Sequence, residues 1–287
     1  MTTKRERYIK NQEATKTRAI YKIFQSQKAR FIERLEKRED TAKRMELKFT
    51  PDDLIDPFLD EIAPDVPEYL LTVLPTIMNE AAKEPIKRYK DLLPEGYALS
   101  FDIETAPAAK YLADLEDLML SQNEGSILKT TRDELRRIME RGVEQGQSYG
   151  QIAKDIQAED PWVFSKTRAE LIAVNEIGRA YGWANHEPAI ELQREGYVLE
   201  KYWTTSHDDK VRKRHKANEA AGWIPLDRPF PGTADQFAPS TNEIRCRCTS
   251  THRITGLTDG KEIIAIPKGM TAEDIKKKHF DFLGKKV

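Results

Sequence analysis

Residues 197–205 read YVLEKYWTT. A run this rich in aromatic and β-branched side chains predicts a strand. It decides the fold class, because almost all of the chain before it carries helical signals. The expected architecture is α+β: a mostly helical N-terminal part with a long amphipathic helix, then a small mixed α/β C-terminal domain with irregular loops. Just downstream, Asp208 is placed to cap a short basic helix over Asp209–Glu219. Residues 221–245 are rich in Pro and Gly with scattered aromatics. They read as irregular loops in which Trp223 and Phe230 pack locally on the strand of Trp203. Residues 262–267 read as a further strand and Ala272–Lys278 as a last basic helix.

Upstream, Thr131 with Glu134 and Ser148 with Gln151 form capping-box patterns, opening helices to Glu144 and over Tyr149–Gln157. A helix over Ser165–His186 follows, and Pro188 restarts a shorter one ending at Gly196. Further back, prolines at 51, 57, 64, 67, 75, 85 and 94 predict only short helices, around Glu68–Leu74 and Thr76–Lys90. Gly96–Thr105, with Tyr97, Leu99, Phe101 and Ile103 alternating, reads as extended. Pro107 opens a helix to Leu120, and Ser121–Ser126 is a polar loop. Residues 8–48 contain neither Gly nor Pro. There Ile20, Phe24, Phe31, Leu35, Ala42 and Met45 recur as a narrow stripe on an otherwise charged helix. Such a seam needs a partner, either another part of this chain or another protein.

The 287 residues are 33% charged and 39% hydrophobic, polar for a globular protein. An elongated helical part beside a smaller globular part fits that balance. The net charge of −1 excludes a uniformly basic nucleic-acid binder, yet it conceals four blocks. Residues 1–48 carry net +8, residues 49–126 net −12, residues 127–200 net −3 and residues 201–287 net +6. Opposed blocks can pair within the chain or face different partners. No apolar run approaches the ~18 residues of a membrane span, and the charged segment Met1–Lys10 predicts no secretory signal. Cys246 and Cys248 are the two cysteines, which argues for a reducing compartment. Phosphate-binding glycine loops, a G-x-S-x-G elbow, an H-E-x-x-H pair and internal repeats are all missing from the sequence.

Chemistry concentrates in residues 203–252, which hold Trp203, His207, Asp208, Asp209, Arg212, His215, Arg245, Cys246, Arg247, Cys248 and His252. Thiolate and imidazole are the ligands zinc prefers. The candidate set is Cys246, Cys248, His215 and either His207 or His252, with His252 taken for the fourth place. The C-x-C spacing is not the C-x₂₋₄-C knuckle of common zinc modules, so the plainer reading is favoured. In it, two reduced cysteines pack in a small core with Arg245 and Arg247 pointing out from a strand, and no cofactor is required. A catalytic alternative is a metal-dependent nuclease or other hydrolase using His207, Asp208, His215, Cys246 and Cys248. Beside them Lys210, Arg212, Lys213, Arg214 and Lys216 are candidate DNA contacts.

Five pieces in order carry a resemblance. They are TTRDELRRIMERGVEQGQSYGQIAKDI (130–156), RAELIAVNEIGRAYGWA (168–184), YWTTSHDDKVRKRH (202–215), GWIPLDRPF (222–230) and IRCRC (244–248). Together they resemble the phage minor head protein, or head-morphogenesis, domain of the phage Mu F and SPP1 minor-head-protein type, over roughly residues 127–255. The family's Thr-x-D-x-R-V-R core departs here to Thr205-Ser-His-Asp-Asp-Lys-Val-Arg, with Lys210 before Val211. The small residues preceding the cysteine pair appear as Ala238–Pro239–Ser240. The resemblance implies a non-enzymatic, low-copy virion protein of the phage head interior or portal vertex, present in the host cytoplasm during assembly. Its implied partners are the portal protein, capsid or scaffold proteins and DNA, with no membrane, and its implied work is in packaging or ejection. The resulting division of the chain is a basic amphipathic helical arm (1–48), an acidic helical region (49–126), the head-morphogenesis domain (127–255) and a basic tail (256–287). A non-viral nucleic-acid-binding adaptor is the third reading of the same charge pattern.

Overall fold

The computed structural model describes residues 4–45, 50–90, 92–93, 99–121, 123, 126–159, 161–239, 243–258 and 263–265, with 274 and 277. Side chains of residues 42–45 lie outside that description, and with them Ala42 and Met45 of the seam. Tyr97, Ser240 and most of the expected helix Ala272–Lys278 also lie outside it. Among the described residues the elements are α1 (Lys4–Met45), α2 (Asp52–Ile62), α3 (Asp65–Lys90), α4 (Ala106–Leu120), α5 (Ile127–Glu144), α6 (Tyr149–Glu159), a 3₁₀ turn (Trp162–Phe164), α7 (Lys166–Arg194), β1 (Tyr197–Thr204), α8 (Lys213–Ala220), β2 (Ile224–Pro225), β3 (Thr249–Thr258) and β4 (Ile263–Ala265). The protein is α+β with a helical N-terminal part. Its residues fall into two compact units, one of residues 1–73 and 106–174, the other of 74–105 and 175–287.

In the first unit the stripe of α1 finds its partner within the chain. Ile20, Phe24, Phe31 and Leu35 are buried, and α1 packs on α6, the 3₁₀ turn and α2. Phe31 meets Phe58 of α2 with ring centroids 4.9 Å apart. The opposed charge blocks pair here too. Arg30 bonds Glu61 (3.0 Å) and Asp65, and Arg34 bonds Glu61. From α5, Arg132 reaches Asp56 at 2.6 Å and Arg136 reaches Asp52 at 2.7 Å. Arg168, from the RAE motif, is buried here rather than displayed. It donates to the Val163 and Ile127 carbonyls and to Thr131 Oγ1, and lies over the Phe24 and Trp162 rings. Burial pushes its pKa down to about 10.

Several helix limits differ from expectation for identifiable reasons. Ser126, not Thr131, caps α5, accepting the Lys129 N–H, while Thr131 Oγ1 donates back to the Ile127 carbonyl inside the helix. Ser148 accepts the Gln151 N–H as its pattern predicts. Pro57, Pro75 and Pro85 fall inside α2 and α3, and Pro188 inside α7. An internal proline costs about 3 kcal/mol, but the flanking Leu70, Leu74, Ile77, Met78, Ala82, Ala184, Ala189 and Leu192 are all buried. Burial of that many apolar side chains, at about 1.5–3 kcal/mol for each large one, outweighs the lost hydrogen bond. The segment expected to be extended over Gly96–Thr105 forms no strand among its described residues, 99–105. Leu99 serves instead as a buried core side chain.

In the second unit the strands order β2-β1-β3-β4, all antiparallel. β1 alternates buried and half-buried positions along its length. Its Tyr197 and Leu199 join Tyr89, Leu93, Leu99, Ala189, Leu192, Leu226 and Leu257 in one core. A second, smaller core holds Trp203, Phe230, Ala238, Cys246 and Cys248. Phe230 meets Trp203 edge-on at 5.0 Å. Trp223 packs on the strand's other neighbours, 5.5 Å from Tyr202 and 4.2 Å beneath the Arg253 guanidinium. At Gly182 of α7 a Cβ would meet the Ala238 carbonyl oxygen at 2.4 Å. Only glycine lets the loop before the cysteines pass that close to the helix.

Candidate functional site

The site forms where α8 and the loop entering β3 meet the end of β1. His215 of α8 directs Nδ1 at both sulfurs, 3.6 Å from Cys246 Sγ and 3.4 Å from Cys248 Sγ. The three ligand atoms lie within 4.8 Å of one another, and all three residues are buried. Trp203 closes one side, edge-on to the His215 ring at 5.5 Å. The cysteines do not lie on a strand, as the sequence suggested; they occupy the loop preceding β3, with Arg245 exposed before them and Arg247 exposed between them. Arg245 takes a left-handed backbone conformation (φ +56°), rare for a non-glycine residue. Its N–H donates to Asn175 Oδ1 at 2.7 Å, which fixes the turn.

The loop is clamped to α8 by charge. Glu243, only 8% exposed, receives Arg212 Nε at 2.8 Å and the Arg214 guanidinium. Arg212 also donates to the Ile244 carbonyl. The same carboxylate lies 4.0 Å from His215 Nε2. Asn218, fully buried in α8, holds the next loop by accepting the Gly232 N–H (2.6 Å) and donating to Thr233 Oγ1 (2.8 Å). Burial pushes the His215 pKa down, more than the Glu243 carboxylate lifts it. Cys246 beside it, and then burial, push the Cys248 thiol up, while N–H groups of Trp203 and Ser206 favour its thiolate. Two cysteine sulfurs and an imidazole share this pocket, a donor set suited to a soft divalent ion.

The other expected residues lie elsewhere. His252 does not join the group. It stands four residue steps from Cys248 along near-extended chain, a span of about 13 Å at strand rise. It pairs in register with Lys201, and its Nε2 lies 2.9 Å from His186 Nδ1. His207 also stands apart, exposed, with Nε2 2.8 Å from Glu219 Oε1. Asp208 is exposed and accepts the Lys210 N–H rather than capping α8, whose N-cap is Arg212. The nuclease arrangement of His207 and Asp208 with His215 and the cysteines is thus not assembled. Of the candidate DNA contacts, Lys210, Lys213, Arg214 and Lys216 are exposed and Arg212 is half-buried. Arg212 and Arg214 already serve Glu243.

Sequence reading missed Glu243, Asn218, Glu219 and a second buried polar group. Glu219 accepts from the Thr205 N–H and hydroxyl. Burial would raise its pKa, but those bonds and His207 outweigh it and hold the carboxyl below its usual range. Lys201 is fully buried and donates to the Gln236 carbonyl and Oε1, both at 2.8 Å. Burial lowers its pKa to about 8. His186 is pushed down to about 3 by burial and then by the Lys201 charge. One signal could have found Lys201: it lies in phase with Tyr197, Leu199 and Trp203, so strand alternation alone aims it inward.

Comparison with known proteins gives one match. Residues 133–251 fit the family model described as phage Mu protein F like protein. No curated protein and no solved structure matches the chain. The matched segment spans the end of unit one and the site itself, from α5 to the start of β3. Over these residues the chain is similar to that family. No helix among the described residues is long and apolar enough to cross a membrane.

Proposed function

We propose that this chain, with its phage Mu F-like domain at residues 133–251, is a minor head protein. It is built into the procapsid at the portal vertex and contacts DNA during packaging or ejection. The family match is the observation that carries the reading, and it favours a structural role over an enzymatic one. Within this reading the portal, capsid or scaffold proteins are the partners. The buried seam of α1 is no longer free for them, so docking falls to exposed surface. Heads assembled with and without portal protein test the placement: the chain should co-sediment with the first and not the second. Equal binding to both would remove the portal from the proposal.

The DNA contact rests on Lys210, Lys213 and Lys216, which are exposed on and just before α8. Three phosphate contacts predict a log–log salt slope of about −2.7 on duplex DNA. Replacing all three lysines by glutamine should abolish that slope. An unchanged affinity and slope would exclude this segment as the DNA contact.

A further inference from the structure

The geometry points to a zinc site: we propose that His215 Nδ1, Cys246 Sγ and Cys248 Sγ bind one zinc ion, with water completing the tetrahedron. This goes beyond the head-protein reading and does not depend on it. Zinc holds thiolate sulfur at about 2.3 Å and imidazole nitrogen at about 2.0–2.1 Å, so the N···S edge of its tetrahedron is about 3.5–3.6 Å. The two N···S distances here are 3.6 and 3.4 Å. Both N···S separations therefore match edges of a zinc tetrahedron, and the two sulfurs lie within 4.8 Å of each other.

The surroundings agree with an ion at that point. His215 uses Nδ1 toward the sulfurs, so its proton belongs on Nε2. That atom is buried without a hydrogen-bond partner and faces Glu243 at 4.0 Å. A carboxylate behind a ligating imidazole is the usual outer support of a zinc histidine. Glu243 is in turn held by Arg212 and Arg214. Two thiolates balance the charge of the ion, which makes its burial tolerable. Among the described residues no other His, Cys, Asp or Glu joins the group, which leaves the fourth position to water. The ion ties the loop 243–248 to α8 across a chain separation that otherwise relies on the Glu243 clamp.

The test uses the full-length chain with zinc, then cobalt, as the probe. Elemental analysis of protein purified without chelator should give about one zinc per chain. X-ray absorption should show two sulfurs near about 2.3 Å and two light atoms near about 2.0 Å. Cobalt replacement should give the visible spectrum of tetrahedral Co(II) with thiolate charge transfer. Cys246→Ser with Cys248→Ser should lose the metal. If that variant fails to fold, the wild-type spectra decide. Folded wild-type protein without bound zinc after incubation and dialysis would overturn the site. So would an octahedral cobalt spectrum lacking thiolate bands, or a Cys246–Cys248 disulfide in protein prepared under reducing conditions.

Discussion

The α1 seam and the His215–Cys246–Cys248 site solve the same problem, burial, by opposite means. In the first unit one long helix presents Ile20, Phe24, Phe31 and Leu35 at regular spacing, and it packs on α2, α6 and the 3₁₀ turn. Arg30, Arg34, Arg132 and Arg136 stay partly exposed and pair with the acidic segment, while Glu13, Lys28 and Arg168 are buried. In the second unit little is periodic. Lys201, His186, Asn218, Glu243 and His215 are all taken out of water, and each needs a particular partner. The first arrangement tolerates polar exchange and resists loss of apolar volume. The second tolerates little, because an unpaired buried polar group costs about 1–3 kcal/mol.

Substitutions that separate the two arrangements can be ranked by size. Phe31→Ala should be the worst, costing about 3–5 kcal/mol in urea unfolding. A cost below about 1 kcal/mol would mean that the seam is not packed as described. Next comes acid sensitivity. His186 is held neutral with a folded pKa of about 3, against an ordinary value near 6.5. Below pH 6.5 the unfolded chain binds the proton that the folded one refuses. The contribution of His186 is therefore present above that pH and lost as pH falls toward 3. Between pH 6.5 and 4 the loss should be about 2–3 kcal/mol, and His186→Gln should remove that part of the slope. Parallel curves for the two proteins would show that His186 is not buried neutral beside Lys201 and His252. Asn218→Ala should cost about 2 kcal/mol by orphaning the Gly232 N–H, visible as a lowered urea midpoint. The smallest effect belongs to Arg136→Ala, since its partner Asp52 and the guanidinium are both more than two-fifths exposed. It should stay within about 1 kcal/mol and shrink with added salt.

The same contrast explains what the sequence discloses. The seam and the strand at 197–204 are legible because periodicity reports burial directly. The prolines of α2, α3 and α7 mislead, because a local penalty is visible in sequence while the apolar burial that offsets it is tertiary. At the site, His215, Cys246 and Cys248 are legible as residue types suited to one ion. His252 misleads because sequence proximity to Cys248 says nothing about the extended strand between them. Glu243 and Asn218 give no local signal, since their importance lies in what they hold.

The central claim, a head-associated virion protein, is tested most directly by quantitative mass spectrometry of purified phage particles. Peptides of this chain should be present in every preparation at low copy relative to the major shell protein. Their absence from intact heads, with the protein abundant in the lysate of infected cells, would contradict it.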